Sequence, residues 1–136
     1  MEQHQQNNDC VHFWPTLLPL ETQDYEHANI TTGFYYGDHG DGAPFVNKTV
    51  LAHATGPGSG AQIHFNAAFT WSVDFNSEKS EDAFDLESVA IHEIGHVLGL
   101  DHSSVQESVM SIKWPSIQPR AKKLDLSLDD VNGAQI

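Results

Sequence analysis

The chain has 136 residues, 39% of them hydrophobic, which suffices for one globular domain with a single core and excludes two. Six Lys and Arg stand against nineteen Asp and Glu, a formal charge of -13, so nucleic acid and anionic lipid are disfavoured as partners. No apolar run reaches the ~18 residues of a membrane span, and the opening MEQHQQNND lacks the basic and apolar regions of a signal peptide.

In chain order, residues 1–12 are polar, rich in Gln and Asn and without apolar period, and read as a disordered lead-in. The single cysteine, Cys10, allows no internal disulfide. From Phe13 to Leu20 the run FWPTLLPL is apolar but broken by Pro15 and Pro19, which predicts an irregular packed segment. Residues 28–36, ANITTGFYY, are rich in β-branched and aromatic types and predict a strand that ends in the turn-rich GDHGDGAP. Short strands are predicted at Val50 to Ala54 and Gln62 to Asn66, then an acidic loop around Ser77 to Asp82. Between Asp85 and Leu98, apolar Leu86, Val89, Ala90, Ile94, Val97 and Leu98 recur at helical spacing, with Asp85 as N-cap and Gly99 as stop. A last helix is predicted to begin near Ser127 or Leu128 and to run to Ile136, with Asp129 and Asp130 in its first turn. Asn29-Ile30-Thr31 and Asn47-Lys48-Thr49 are glycosylation sequons, a hint of secretion.

The string HEIGHVLGLDH places His92 and His96 four apart, on one helix face about 6 Å from each other along the axis, where one metal can bind both. Gly99 lets the backbone turn so that His102 returns as a third ligand. Three protein ligands leave a fourth position open, the arrangement of catalytic zinc, and Glu93 beside the first ligand is the candidate general base. Three scarce histidines, a Glu and a Gly at fixed spacing make chance a poor account of the string. Followed by a Met-containing turn it is the metzincin signature, and Met110 in SVM is the candidate for that turn.

A second group comprises His39 and Asp41 in GDHGDG, His53 in LAHA and His64 in IHF. Three imidazoles and a carboxylate would fill a tetrahedron and hold a structural zinc. Taken alone, scattered histidines favour unliganded polar residues; the first constellation and the family pattern turn the reading toward metal.

Together FYYGDHGDGAPF, VLAHA, IHF, FDLESVAIHEIGHVLGLDHSS, the following Met and LSLDDVNGAQI resemble the matrixins, the matrix metalloproteinases, most closely the plant-type members, over roughly residues 13–136. The resemblance implies an α+β fold in which a twisted mixed β-sheet packs on about three helices, and an endopeptidase of the extracellular matrix type with two zinc ions and calcium. His92, His96 and His102 match the catalytic zinc ligands, Glu93 the base, Met110 the Met-turn, and His39, Asp41, His53 and His64 the structural zinc ligands. It further implies a protein or peptide substrate added as an extended strand beside Val50 to Ala54, with Ala52, Ala54 and Val89 in contact with it. A monomer acting outside the cell is expected.

Departures from the pattern qualify what carries over. Val46, Gln62, Asn66 and Phe69 stand near the places of the family's acidic calcium ligands, and Ser111-Ile112 follow the Met where Tyr-Pro is usual, with the next proline at Pro115. The first strand and most of the first long helix have no counterpart, nor has the propeptide cysteine, so an N-terminally truncated domain is expected. A zinc-binding pseudoenzyme and an unrelated zinc hydrolase of small amides are the competing readings; intact Glu93 speaks against the first.

Overall fold

The computed structural model describes residues 28–57, 60–112 and 118–134. The lead-in, the Phe13–Leu20 segment, Cys10 and Pro115 lie outside them. Five strands, β1 (Ile30–Tyr35), β2 (Ala52–Thr55), β3 (Ala61–Asn66), β4 (Thr70–Ser72) and β5 (Ala83–Asp85), precede two helices, α1 (Leu86–Val97) and α2 (Leu128–Gly133). The first three strands form a mixed sheet in the order β1-β3-β2, with β1 parallel and β2 antiparallel to β3. β4 and β5 pair in parallel as a separate ribbon. This α+β arrangement agrees with the expected fold class. No helix among the described residues is long and apolar enough to cross a membrane.

The strand β3 is buried nearly throughout, and its alternation decides the molecule's layout. Ala61, Ile63 and Phe65 join the core with Ala52, Val89 and Val97, so one sheet face packs on α1. His64, between Ile63 and Phe65, takes the other face. Full burial of each Val, Ile or Phe contributes roughly 1.5–3 kcal/mol. Trp71 extends the core toward the ribbon: its ring lies 5.4 Å from Phe65, and its indole N–H donates to the Asn66 carbonyl at 2.9 Å.

The second strand starts two residues later than the apolar run suggests. Asn66 ends β3 and takes the carbonyls ahead of β2: its backbone N–H donates to Leu51 at 2.8 Å and its side-chain amide to Val50 at 2.9 Å. The same side chain accepts from Ala68 N–H, so at one of the altered calcium positions the amide is committed to closing a turn. β4 and β5 were not anticipated. Arg120 helps hold the loop between them: its guanidinium donates to the carbonyls of Phe75, Glu78 and Ser80 and lies 4.9 Å over the Phe75 ring.

The helix α1 begins and ends where its sequence predicts. Asp85 caps it, accepting from Ser88 N–H at 2.9 Å. At the other end Gly99, at φ 91°, donates to His96 O while Leu100 donates to Gly95 O, the paired bonds of a Schellman stop. The helix α2 is shorter than predicted, closing at Gly133 with Ala134 N–H on Asp130 O. Its N-terminus is a capping box in which Ser127 and Asp130 bond reciprocally.

Asp130 does more than cap. Only 3% exposed, its carboxylate also accepts from the Ser108 hydroxyl and from Val109 N–H at 3.0 Å, tying α2 to the Met110 turn. Burial would raise this carboxyl, but hydrogen bonds from the Ser108 and Ser127 hydroxyls and from Val109 and Ser127 N–H outweigh it and hold it below its ordinary 3.8. The native state therefore binds this proton more weakly than the unfolded chain, so the stabilisation is complete above pH ~4 and lost as pH falls further. Asp130→Asn should cost about 2–4 kcal/mol at neutral pH and flatten the decline of stability below pH ~4 in urea unfolding. An unchanged acid slope would contradict this role.

Candidate metal centres and cleft

The first group forms where α1 and the segment after it face one another. His92, Glu93 and His96 come from the helix; the reversal at Gly99 brings His102 back. The ligand nitrogens of the three histidines lie within 4.8 Å of one another, with His96 Nε2 and His102 Nε2 3.1 Å apart. Nitrogens bound ~2.0–2.1 Å from one zinc in a tetrahedron stand roughly 3.3 Å apart, so the spacing suits a shared metal.

Ring orientation is set by the backbone. His92 Nδ1 donates to the Val109 carbonyl at 2.8 Å, and His96 Nδ1 to the Leu100 carbonyl at 2.8 Å. Each bond fixes a tautomer that leaves the Nε2 lone pair for a metal. Burial lowers the His92 and His102 imidazoles, with neighbouring histidines adding to it, which favours the neutral ligand form.

Glu93 is the anomaly of the helix. It is 5% exposed, and its Oε2 is a buried side-chain atom without a hydrogen-bond partner. Burial pushes its carboxyl up to about 7. An unpaired buried acid costs stability, and such groups mark functional sites.

The second group gathers on the sheet face opposite α1. His53 and His64 are directly paired across β2 and β3, so both side chains emerge on that face. His39 and Asp41 reach them from the glycine-rich turn. His39 Nε2, His53 Nε2 and His64 Nδ1 lie 3.0, 2.7 and 2.9 Å from Asp41 Oδ2. Burial would raise the Asp41 carboxyl, but Ala43 N–H and the imidazoles of His53, His64 and His39 hold it well below the usual carboxylate range. Gly33 makes room for the aromatic wall: a Cβ there would meet the Tyr35 ring at 2.9 Å. That ring lies 5.1 Å from His39 and 4.4 Å from His64. Three nitrogens converging on one carboxylate oxygen fit a closed zinc site.

All seven predicted ligand residues are thus brought together in their two groups. Met110 is 2% exposed and fills the space beside Gly95, and its carbonyl accepts from Ser103 N–H at 3.0 Å. Val89 and Ala52 line a cavity of about 310 Å³ beside Glu93. Ala52 and Ala54 line a second, of about 550 Å³, that reaches His102. The sequence shows Asp130 only as a first-turn acid and Lys48 only within a sequon, because their contacts to Val109 and Phe69 are distant along the chain.

Helix, reversal and flanking cleft thus set three imidazoles and a buried carboxyl around one cavity. The chain belongs to the matrixin family, whose profile, described as Matrixin, matches residues 2–136. It is 52% identical over 126 residues to metalloendoproteinase 4-MMP of Arabidopsis thaliana, covering 90% of this chain and 36% of that protein. Metalloendoproteinase 1 of Glycine max is 47% identical over 116 residues, with 83% and 37% covered. The macrophage metalloelastase of Rattus norvegicus is 39% identical over 127 residues, with 90% and 26% covered. The chain spans about a third of the length of the curated plant relatives it matches.

A Cβ at Gly95 would stand 2.2 Å from Met110 Sδ. Gly95→Ala should therefore lower stability by about 1–2 kcal/mol, overpacking outweighing the helix-propensity gain of about 1 kcal/mol. Adding Met110→Ala should recover part of the loss in a double-mutant cycle; additive effects would sink the packing account.

Proposed function

We propose that this chain is the catalytic core of a zinc-dependent endopeptidase acting outside the cell, with one zinc held by His92, His96 and His102 and a second by His39, Asp41, His53 and His64. The observation that carries the reading is Glu93, a buried carboxyl lacking a partner at Oε2 that lines one cavity together with His92, His96 and His102. A structural acid would be paired. A general base must stand within reach of the reacting water, and Glu93 lines the same two cavities as the ligand His92.

When bound, the first zinc would supply Lewis acidity to water and to the peptide carbonyl. Glu93 takes the proton as water adds to that carbonyl and returns it to the leaving amine. Among the described residues β2 pairs on one side only, with β3, so its other edge offers backbone groups to an extended peptide. Ala52, Ala54 and Val89 then contact the substrate. Asn29 and Asn47 of the two sequons are exposed, which suits a secreted chain, and the ligand set contains no thiol.

The test is cleavage of quenched fluorescent peptides by purified protein whose metal content is measured. Two zinc per chain are expected, with activity abolished by a chelator and reduced at least ~10³-fold in Glu93→Gln. Zinc retained without Glu93-dependent cleavage would mark a metal-binding module instead. His64→Ala should remove one zinc and lower the unfolding free energy by several kcal/mol, because a closed site contributes its binding energy to folding. Unchanged stability would refute the structural role.

A further inference from the structure

The cavity of about 310 Å³ has Glu93, His92 and Thr49 in its lining and is otherwise apolar, with Leu51, Phe69 and Val89 among its walls, yet Lys48 also lines it. The Lys48 ammonium stands 5.7 Å over the Phe69 ring. Cations are scarce in this chain, which has six Lys and Arg in all. Three of the others are engaged locally: Lys79 donates to the Asn76 carbonyl, Arg120 to three loop carbonyls, and Lys122 pairs with Asp85 and Glu87. Lys48 makes no ion pair or hydrogen bond among the described residues, although the chain carries nineteen Asp and Glu. An aromatic face holds its charge without consuming its N–H donors.

We propose that Lys48 is a specificity-determining residue that selects a carboxylate on the substrate side chain entering this cavity. The inference rests on the peptidase reading of the adjoining site. The apolar walls take the methylene stem of such a side chain, and the ammonium takes its charged end, so glutamate fits better than its neutral isostere glutamine. The net charge of -13 repels anionic peptides at long range, so the selection is local and is felt on docking. A peptide's own C-terminal carboxylate offers the same chemistry, and the two sources are separated by amidation.

The test uses zinc-loaded protein and peptides with Glu or Gln at the cavity position, each as C-terminal amide and as free acid. Matching peptides with a non-hydrolysable ketomethylene bond at the scissile position report binding independently of cleavage. A Glu-over-Gln preference of about 3–10-fold is expected in both kcat/KM and affinity, the scale of a partly exposed ion pair. It should survive amidation, persist in Lys48→Arg, vanish in Lys48→Met, invert in Lys48→Glu, and shrink in about 1 M salt, where the Debye length is about 3 Å. Equal handling of Glu and Gln, a preference that persists in Lys48→Met, or one lost on amidation would overturn the proposal. If neither peptide is cleaved but the isosteres bind with the Glu preference, the peptidase reading fails and this one stands; if neither isostere binds, this one fails.

Discussion

Three imidazoles can share one point only if the chain reverses within six residues of the second of them. His96 lies in the last turn of α1, and His102 must come back to within 3.1 Å of it. Gly99 at φ 91° makes that possible, because a side chain is strained in this left-handed region. The paired bonds of Leu100 to Gly95 and of Gly99 to His96 fix the direction of return. Leu100, placed by the reversal, then supplies the carbonyl that orients His96. One turn therefore both brings in the third ligand and aims the second.

The remaining constraint comes from the far end of the chain. His92 is oriented by the Val109 carbonyl, and Val109 is held by its N–H bond to Asp130. Met110 occupies the gap left by Gly95, so helix and turn approach closely. A short C-terminal helix thus acts through one buried carboxylate on a ring that it does not touch. On the opposite sheet face His53 and His64 share a cross-strand pair, while Ala52 and Ala54, alternating with His53, border the cleft. β2 in this way belongs to both groups, and disorder at His53 would reach the wall of the cleft.

Much of this was legible in the sequence, for identifiable reasons. The helix carried its own cap and stop in Asp85 and Gly99, and its histidine spacing is enough to group His92, His96 and His102 unaided. His39, Asp41, His53 and His64 were less informative, since scattered histidines taken alone favour unliganded polar residues; the first constellation and the family pattern together turned the reading toward metal. β4 and β5 were not legible because three residues are too few to show alternation, and TWS and AFD are held by pairing with each other. Asp130 was readable as a first-turn acid and invisible as the partner of Val109, twenty-one residues away. Lys48 read as part of a loop sequon, and only the folded chain sets it against Phe69.

On the zinc reading proposed above, both groups are preorganised to accept the metal without rearrangement. Anomalous diffraction from zinc-loaded crystals, measured on either side of the zinc absorption edge, addresses it directly. Two peaks are expected, one among the Nε2 atoms of His92, His96 and His102 with a fourth position open, and one enclosed by His39, Asp41, His53 and His64. A missing peak at the first group, or a metal there held by Glu93 in place of a histidine, would contradict it.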